Sequence, residues 1–539
     1  MAASLRRQIA AQREKGPAMP PLQDVNTTDL YGAVALGCQA MAHALNRDDD
    51  QVPFFAAQAW PTAWLRFSPA FSEAHVPGRH LNALLSAEDA LGIVIDEEVI
   101  AADARAAFRA YSGPVPLPLG RETPSGPQCT FLPHNLREGF HALYALAAFR
   151  GCERAVELAR ASIAAVEQYW SPAGWDRPAL EALGVRFLAD PALDTFVGGL
   201  GRAIGPLVKL YRATGLAEAL ALAMRLAEQA LSFFREDGSY DVERFGSHTH
   251  STTCTLSGLA QLAQLTGDMA LLERVRAFYD RGAWQIRDAL GWVIESALPD
   301  ALPDRGEINN TGDLIETALI LGAHGWPAYY GDAERMVRGH LLPAQLRDTS
   351  FIAEPDHPEG GDGLRDVATR LRGTFGFPAP YGHLPLGATE ISFNYDIVGG
   401  AVGSLCAVWR ACVTRDATGH HVNLLFDRDM PDVAVESPYT HGALRLRVKR
   451  PAPLWVRLPE WAPPSATLDQ LAGVEAQIVG EWLLLPRPPV NRWLTLDWPL
   501  AEREIALRHR TRTIRARLRG DAVVAMTNDG ADLTFVPPL

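Results

Sequence analysis

The chain has 539 residues, 50 Lys and Arg against 63 Asp and Glu, a net charge of −13, and only six cysteines. That length is about three to four average domains or one large barrel, and it can bury a substantial core without staples. The 47 % hydrophobic and 21 % charged fractions exclude disorder, collagen and coiled coil, and the acidic balance argues against a nucleic-acid partner, which needs a cationic surface.

The N-terminal stretch MAASLRRQIAAQREKGPAMPPL carries charges and no apolar h-region, so a signal peptide is not expected and the default location is cytoplasmic. The longest nearly apolar run, Leu30 to Leu45, is interrupted by Gln39 and His43 and is shorter than the roughly 20 residues a bilayer needs. The cysteines (Cys38, Cys129, Cys152, Cys254, Cys406 and Cys412) include no C-x-x-C and read as free thiols.

From about 27 to 412 the chain is rich in Ala and Leu with a helical period, and the helices pair. Segment 134–150 is followed by 153–170, 199–214 by 217–235, 251–266 by 269–283, and 312–323 by 330–346. Several first helices end alike, in YRATG (211–215), AQLTGD (263–268) and AAFRG (147–151). Gly there is a helix C-cap, because it alone takes the left-handed conformation at no cost. Recurrent helix–turn–helix units of roughly 50 residues predict stacked hairpins closing into an α/α barrel. The apolar runs 30–45 and 199–211 suit its inner helices. The Gly/Pro-rich stretch 351–385 is expected to cover one mouth.

From about 419 onward, LRLRVKRP, LWVRLPEWA, EWLLLPRP, WLTLDWPL and TIRARLRGDAVVAM alternate or run apolar between Pro, Gly and Asp. That pattern predicts an all-β sandwich. Within REIALRHRTRTIRARLR (503–519), Ile514, Ala516 and Leu518 alternate with Arg515, Arg517 and Arg519, which reads as a strand with one solvated face. The expected architecture is mainly α plus β: a six-hairpin α/α barrel over 27–415, an antiparallel β-sandwich over 416–539, and an N-terminal extension over 1–26.

Four polar groups stand at predicted helix starts: His134, Asn135, Arg137 and Glu138; His248 and His250; Glu295, Glu307, Asn309, Asn310, Asp313 and Glu316; and Asn394, Tyr395 and Asp396. Helix N-termini attract carboxylates, so Asp313 and Asp396 also read as caps, and His248 and His250 as structural residues. Inner-helix N-termini share one mouth, so the groups can converge, and sugar chemistry needs paired carboxylates. The candidate catalytic residues are Glu295 as acid and Glu307, Asp313 or Asp396 as base or nucleophile. His134, His248, His250, Asn309, Asn310, Asn394 and Arg202 are candidates to bind sugar hydroxyls or a uronate carboxylate. Trp292, Tyr381 and Tyr395 are candidates to stack on the ring. No Walker A, dinucleotide, H-E-x-x-H or G-x-S-x-G motif occurs. No cofactor is expected, although the oxygens of Glu307, Asn309 and Asp313 leave a divalent cation open.

The arrangement resembles glycoside hydrolase family 127, the β-L-arabinofuranosidase family, from about 130 to 526. LWVRLPEWA resembles its "LRLRIPGWA" strand, GHHVNLLF its "G-L-Y-V-N-L-Y", and LTLDWPLAEREI with RARLRGDAVVAM its closing strands. In the helical part LPHNLREGFHALYAL, GGLGRAIGPLVKLYRATG and SHTHSTTCTLSGLAQLAQLTGD resemble "HK-x-x-x-GL-x-D-x-Y", "GGM-x-E-x-L-x-x-LY-x-x-TG" and "H-A-x-x-x-x-P … TGD" in the same order. The resemblance implies a six-hairpin barrel with β-sandwich domains and a glycosidase activity. It implies an acid/base Glu near Glu295, a zinc-binding Glu at Glu307, and substrate-contacting His at His134 and at His248 or His250. The chain departs at the zinc and nucleophile cysteines. Asn309 stands where the family's E-T-C has Cys, and Phe393 and Asn394 stand near its Cys–Cys pair. Cys406 comes about twelve residues later, and Arg202 replaces an acid. The expected enzyme is a glycosidase working by carboxylate chemistry on a small glycoside or oligosaccharide. Two alternatives stand beside it: a uronate lyase using Tyr395 and His250, with Arg202 or Arg137 on the carboxylate, and a non-catalytic sugar-binding protein. A carbohydrate substrate is the expected partner, with no nucleic acid and no membrane; a homodimer is left open.

Overall fold

A computed structural model describes residues 19–123, 125–298, 304–356, 360–509, 512–528 and 530–539. The stretch read for a signal peptide lies outside the described residues up to position 18, as do 357–359 of the 351–385 stretch and 510–511 of the Arg-rich run.

Twelve helices of nine residues or more occur among the described residues: α1 (Leu30–His43), α2 (Val76–Leu91), α3 (Glu97–Ala110), α4 (Leu136–Arg150), α5 (Glu153–Tyr169), α6 (Ile204–Thr214), α7 (Ala217–Ala230), α8 (Thr249–Thr266), α9 (Met269–Asp280), α10 (Ile308–Ala323), α11 (Ala328–Met336) and α12 (Tyr395–Ala411). The even-numbered helices pack side by side in a closed ring, α2–α4–α6–α8–α10–α12 and back to α2. Each is backed by an odd-numbered helix, and α12 is backed by α1 from the other end of the chain. Gly92, Gly151, Gly215 and Gly267 turn four of these hairpins with φ between 60° and 70°, the left-handed region the glycine endings predict. Inner helices are buried nearly all round: every residue from Thr249 to Ala263 of α8 is buried.

One assignment changes. The apolar run 30–45 is not an inner helix; α1 lies outside the ring against α12 and α2, with Tyr31 half exposed. Its apolar character serves the seam where the two chain ends close the barrel. The inner position belongs to α2, a segment with a Pro at its start, Gly92 at its end and buried Arg79 and His80 between.

Strands also occur inside the helical region. Trp64–Arg66, Ala56–Trp60 and Ile391–Asn394 form a three-stranded antiparallel sheet leading into α12. The 351–385 stretch runs beside the start of α10, where Gly376 and Pro378 carbonyls accept from the Ile308 and Gly306 amides.

After α12 the chain enters a five-stranded sheet through Val413–Asp416 and a four-stranded sheet ending on Trp493–Leu496. Their inward Leu and Val residues join the main core. The pairing is antiparallel except that Gly419–Val422 runs parallel to Leu454–Arg457, so the sheets are not purely antiparallel as expected. The last three strands (Glu502–Arg508, Thr513–Arg519, Ala522–Met526) form a separate sheet. Ile514, Ala516 and Leu518 pack with Leu290, Tyr381 and Leu386 in a second, smaller core, while Arg515 and Arg519 stay exposed. All six cysteines are free, and no helix of the described residues is long and apolar enough to cross a membrane.

Candidate active site

The six inner-helix starts are tied together by side chains. Between α2 and α4, His75 Nδ1 donates to Asn135 Oδ1 at 3.0 Å; Asn135 Nδ2 donates to the Ala70 carbonyl, which fixes the amide's orientation. Between α4 and α6, Arg202 donates to the His134 carbonyl at 2.7 Å and to Glu138 at 2.9 Å. Between α6 and α8, Arg202 Nε reaches Cys254 Sγ at 3.4 Å. Between α8 and α10, His248 Nε2 and His250 Nδ1 lie 3.5 and 3.3 Å from the two Glu307 oxygens. Asn309 Nδ2 donates to Asp396 at 3.4 Å, joining α10 to α12, and His75 Nε2 stands 3.4 Å from Asp396, closing the circuit to α2.

Glu138 is the hub. Arg202, Arg137 and Arg79 reach its oxygens at 2.9, 3.0 and 3.2 Å, and His75 at 3.4 Å. Burial alone would raise this carboxyl; Arg202, His75, Arg79 and Arg137 together hold it well below the usual range. Its charge compensates guanidiniums that would otherwise be stranded.

The histidines are fixed in defined tautomers. His134 Nδ1 is 2.7 Å from the Gly198 carbonyl, which only accepts, so Nδ1 carries the proton and Nε2 is an acceptor. Arg79 Nη2, which only donates, is 2.9 Å from His250 Nε2. His250 therefore carries its proton on Nδ1, directed at Glu307. Burial and the neighbouring arginines push His250 well below its ordinary value; burial, Arg202, His248 and His75 do the same to His134. Both are neutral hydrogen-bonding groups. The His75 and His134 rings stack with centroids 5.5 Å apart, and His134 meets His248 edge-on at 5.3 Å.

Among the candidate carboxylates, Glu307 is the N-cap residue of α10, held by Asn309 Nδ2 at 2.8 Å. Glu295, on the loop before it, is partly open to solvent and meets Arg305 Nε at 2.8 Å. Burial raises its carboxyl despite Arg305, and Glu307 adds to the rise. Asp313, one turn deeper, accepts from Thr253 at 3.1 Å and faces His250 and Arg137; burial pushes it up to about 6. Burial raises Asp396 too, but the His75 contact and Arg79 outweigh it and hold it low. The structure thus gathers Glu295, Glu307, Asp313, Asp396, His134, His248, His250 and Asn309 at one end of the ring.

The remaining candidates do other work. Arg202 is fully buried with its donors spent on Glu138, the His134 carbonyl and Cys254, so it pairs with no substrate carboxylate; Arg137 is likewise taken by Glu138 and Asp313. Tyr395 is fully buried and donates to the Arg370 carbonyl, which removes the tyrosine of the lyase pair. Asn310 bridges Thr253 and Thr249 within the α8–α10 packing. Trp292 donates to the Pro378 carbonyl and packs on His509, and Tyr381 lies in the smaller core under Arg512, so neither is a stacking platform. Asn394 ends a strand paired to Ala56 and caps α12 without a side-chain bond. The aromatics beside the histidines are instead Phe55 and Phe71, stacked at 4.6 Å, with Phe71 5.4 Å from His75 and 6.4 Å from His134.

The reading along the chain missed His75, Arg79 and the hub role of Glu138. The signal for the first two was present: H-V-P opening an apolar helical run that ends in Leu91–Gly92. The structure keeps the His and carboxylate part of a metal centre: His248, His250 and Glu307, and likewise His250, Cys254 and Asp313, have ligand atoms within 4.8 Å of one another, but the cysteines of the family's zinc–thiolate motif are not beside them. The His250 nitrogen facing Glu307 carries a proton, and Cys254 lies against the Arg202 guanidinium.

Among solved structures the chain is similar to a GH127 β-L-arabinofuranosidase from Geobacillus stearothermophilus T6, with TM-score 0.54 and 13 % identity over 93 % of this chain and 86 % of that one. It is similar to a further GH127 β-arabinofuranosidase with TM-score 0.55 and 12 % identity, over 94 % and 84 %. No family model and no curated protein matches. At this identity the likeness is one of fold: helical region and terminal sheets follow an architecture carried by glycoside hydrolases.

Proposed function

We propose that the protein is a glycosidase that takes a small glycoside into the N-terminal end of its helix ring. The observation that carries this reading is the convergence of Glu295 and Glu307 with His134, His248 and His250 at one end of the ring. The domain reading that goes with it is a six-hairpin α/α barrel bearing the site, followed by the β-sandwich. Glu295, raised and partly open, protonates the leaving oxygen. Glu307, aligned by Asn309 and the His250 N–H, acts opposite it as base or nucleophile. His134 Nε2 accepts from a sugar hydroxyl, and Phe71 lies against the ring's apolar face. Asp313 and Asp396 position these groups.

The test is release of aryl alcohol from a panel of aryl furanosides and pyranosides. Glu295→Gln should lower kcat by about 10²–10⁴-fold, the range for a general acid. A panel giving no product, or a Glu295→Gln enzyme as fast as the parent, would overturn the reading. Binding without turnover is the second reading, favoured by Arg305, which engages the Glu295 carboxyl at 2.8 Å. It predicts calorimetric heat with a sugar that is recovered intact.

A further inference from the structure

Beneath the mouth cluster the ring is hollow. A cavity of about 430 Å³ runs down its axis, from Arg79, Arg137, Asn309 and Asp313 to the opposite ends of the inner helices, where Arg212 and Arg410 stand exposed. Small-molecule pockets are typically ~300–1,000 Å³.

The charges in its outer half do not balance. Lys209 reaches Glu316 at 3.5 Å, and Ser257 donates to the same carboxylate. Burial would raise Glu316, but Lys209 and Ser257 outweigh it and keep it ionised. Arg212 forms no ion pair of its own among the described residues; it donates to the Gln264 side chain at 3.2 Å and shares the field of Glu316. Arg410 is taken by Asp89 at 2.6 Å. Two cations thus face one acid.

The walls also hold unspent polar groups. His141 is 4 % exposed and its Nδ1 has no partner among the described residues; Gln261 is 6 % exposed and its Oε1 has none. Buried polar atoms are nearly always paired, so both are groups whose bonding the protein itself leaves incomplete. Tyr144 and Tyr330 line the cavity with apolar ring faces.

We infer that this axial cavity is a second ligand site, entered from the far end of the ring, for a small hydroxylated molecule carrying one anionic group, a sugar acid or a sugar phosphate. Lys209 and Arg212 take the anion, while His141 and Gln261 meet hydroxyls deeper in. The inference is independent of the glycosidase reading, because none of these four residues belongs to the mouth cluster.

The experiment is calorimetric titration of the full chain with glucuronate, glucose 6-phosphate and glucose. At least one of the two anions binds, added salt weakens it, and glucose does not bind comparably; which anion binds tells carboxylate from phosphate. Arg212→Gln, an exposed position checked for folding by circular dichroism, weakens the anion at least tenfold. Glu295→Gln leaves that affinity unchanged. Failure of both anions to bind, equal binding of glucose, or an Arg212→Gln affinity equal to the parent's overturns the proposal. So does loss of anion binding in Glu295→Gln, which would put the anion at the mouth.

Discussion

Two buried ionic clusters can be set side by side. One joins helix and sheet: Glu334 of α11 accepts from Arg338 at 2.9 Å, from the Leu425 amide at 3.0 Å and from Arg457. Arg338 also donates to the Leu425 and Thr27 carbonyls and lies between the rings of Phe426 and Tyr439. No buried side-chain atom of these three residues is left without a partner. The other is the mouth circuit, buried except at His248, where Asn309 Oδ1 and Asp396 Oδ1 find no partner among the described residues. Saturated bonding to fixed backbone is what a structural joint needs. Bonding left unsaturated is what sets a functional site apart from such a joint. Burial alone does not separate the two; the tally of satisfied atoms does.

The largest effect expected is at the joint. Arg338→Met removes the partner of Glu334 and of two carbonyls, and breaking a buried pair costs about 3–5 kcal/mol. Chemical or thermal unfolding should show a sharply lower midpoint, with the behaviour of the remaining folded protein at the mouth unchanged. A midpoint equal to the parent's would break the contrast, because the joint would then not depend on its saturation.

The mouth should respond to pH instead. Burial raises Asp313 to about 6 in the folded chain, against 3.8 as the ordinary value. The folded state therefore holds this proton more tightly than the unfolded chain. Its contribution is complete below about pH 4 and is lost as pH rises through 6. Asp313→Asn keeps the shape without the ionisation, so it should gain on the parent by on the order of 1–3 kcal/mol between pH 4 and pH 7. Denaturant midpoints at several pH values measure this. Curves that stay parallel across the window would mean that Asp313 is solvated like a surface acid.

Much of this architecture is legible along the chain. Glycine endings after apolar helices mark Gly151, Gly215 and Gly267 as hairpin turns, and alternation in TIRARLR separates its buried from its solvated face. Periodicity reports burial, however, and not which side is the ring's inside, which is why α1 reads as inner while α2, with a buried arginine and histidine, does not. The site is legible as to which carboxylates and histidines gather, because all but Glu295, on the loop before α10, stand at or near a helix start. The roles of the other polar residues are not. Arg202, Tyr395 and Asn310 carry the same side chains a binding site would use, yet their bonds go to Glu138, the Arg370 carbonyl and Thr253. Those partners lie 64, 25 and 57 residues away, beyond any local pattern.

The smallest stability effect should come from Asn309, and it separates the clusters most finely. Its amide donates to Glu307 at 2.8 Å and to Asp396 at 3.4 Å, but its own oxygen is orphaned. Asn309→Ala loses two bonds and also removes an unsatisfied buried acceptor, and these oppose each other, so stability should move by no more than about 1 kcal/mol. Turnover should not be spared. If Glu307 is the base or nucleophile, losing the amide that aligns it forfeits a hydrogen bond to a charged group, worth about 1.5–3 kcal/mol, or about ten- to a hundredfold in kcat. Unfolding midpoints and steady-state rates on the same preparation read both. A variant that unfolds much earlier yet turns over normally would place Asn309 with Arg338, as part of the frame.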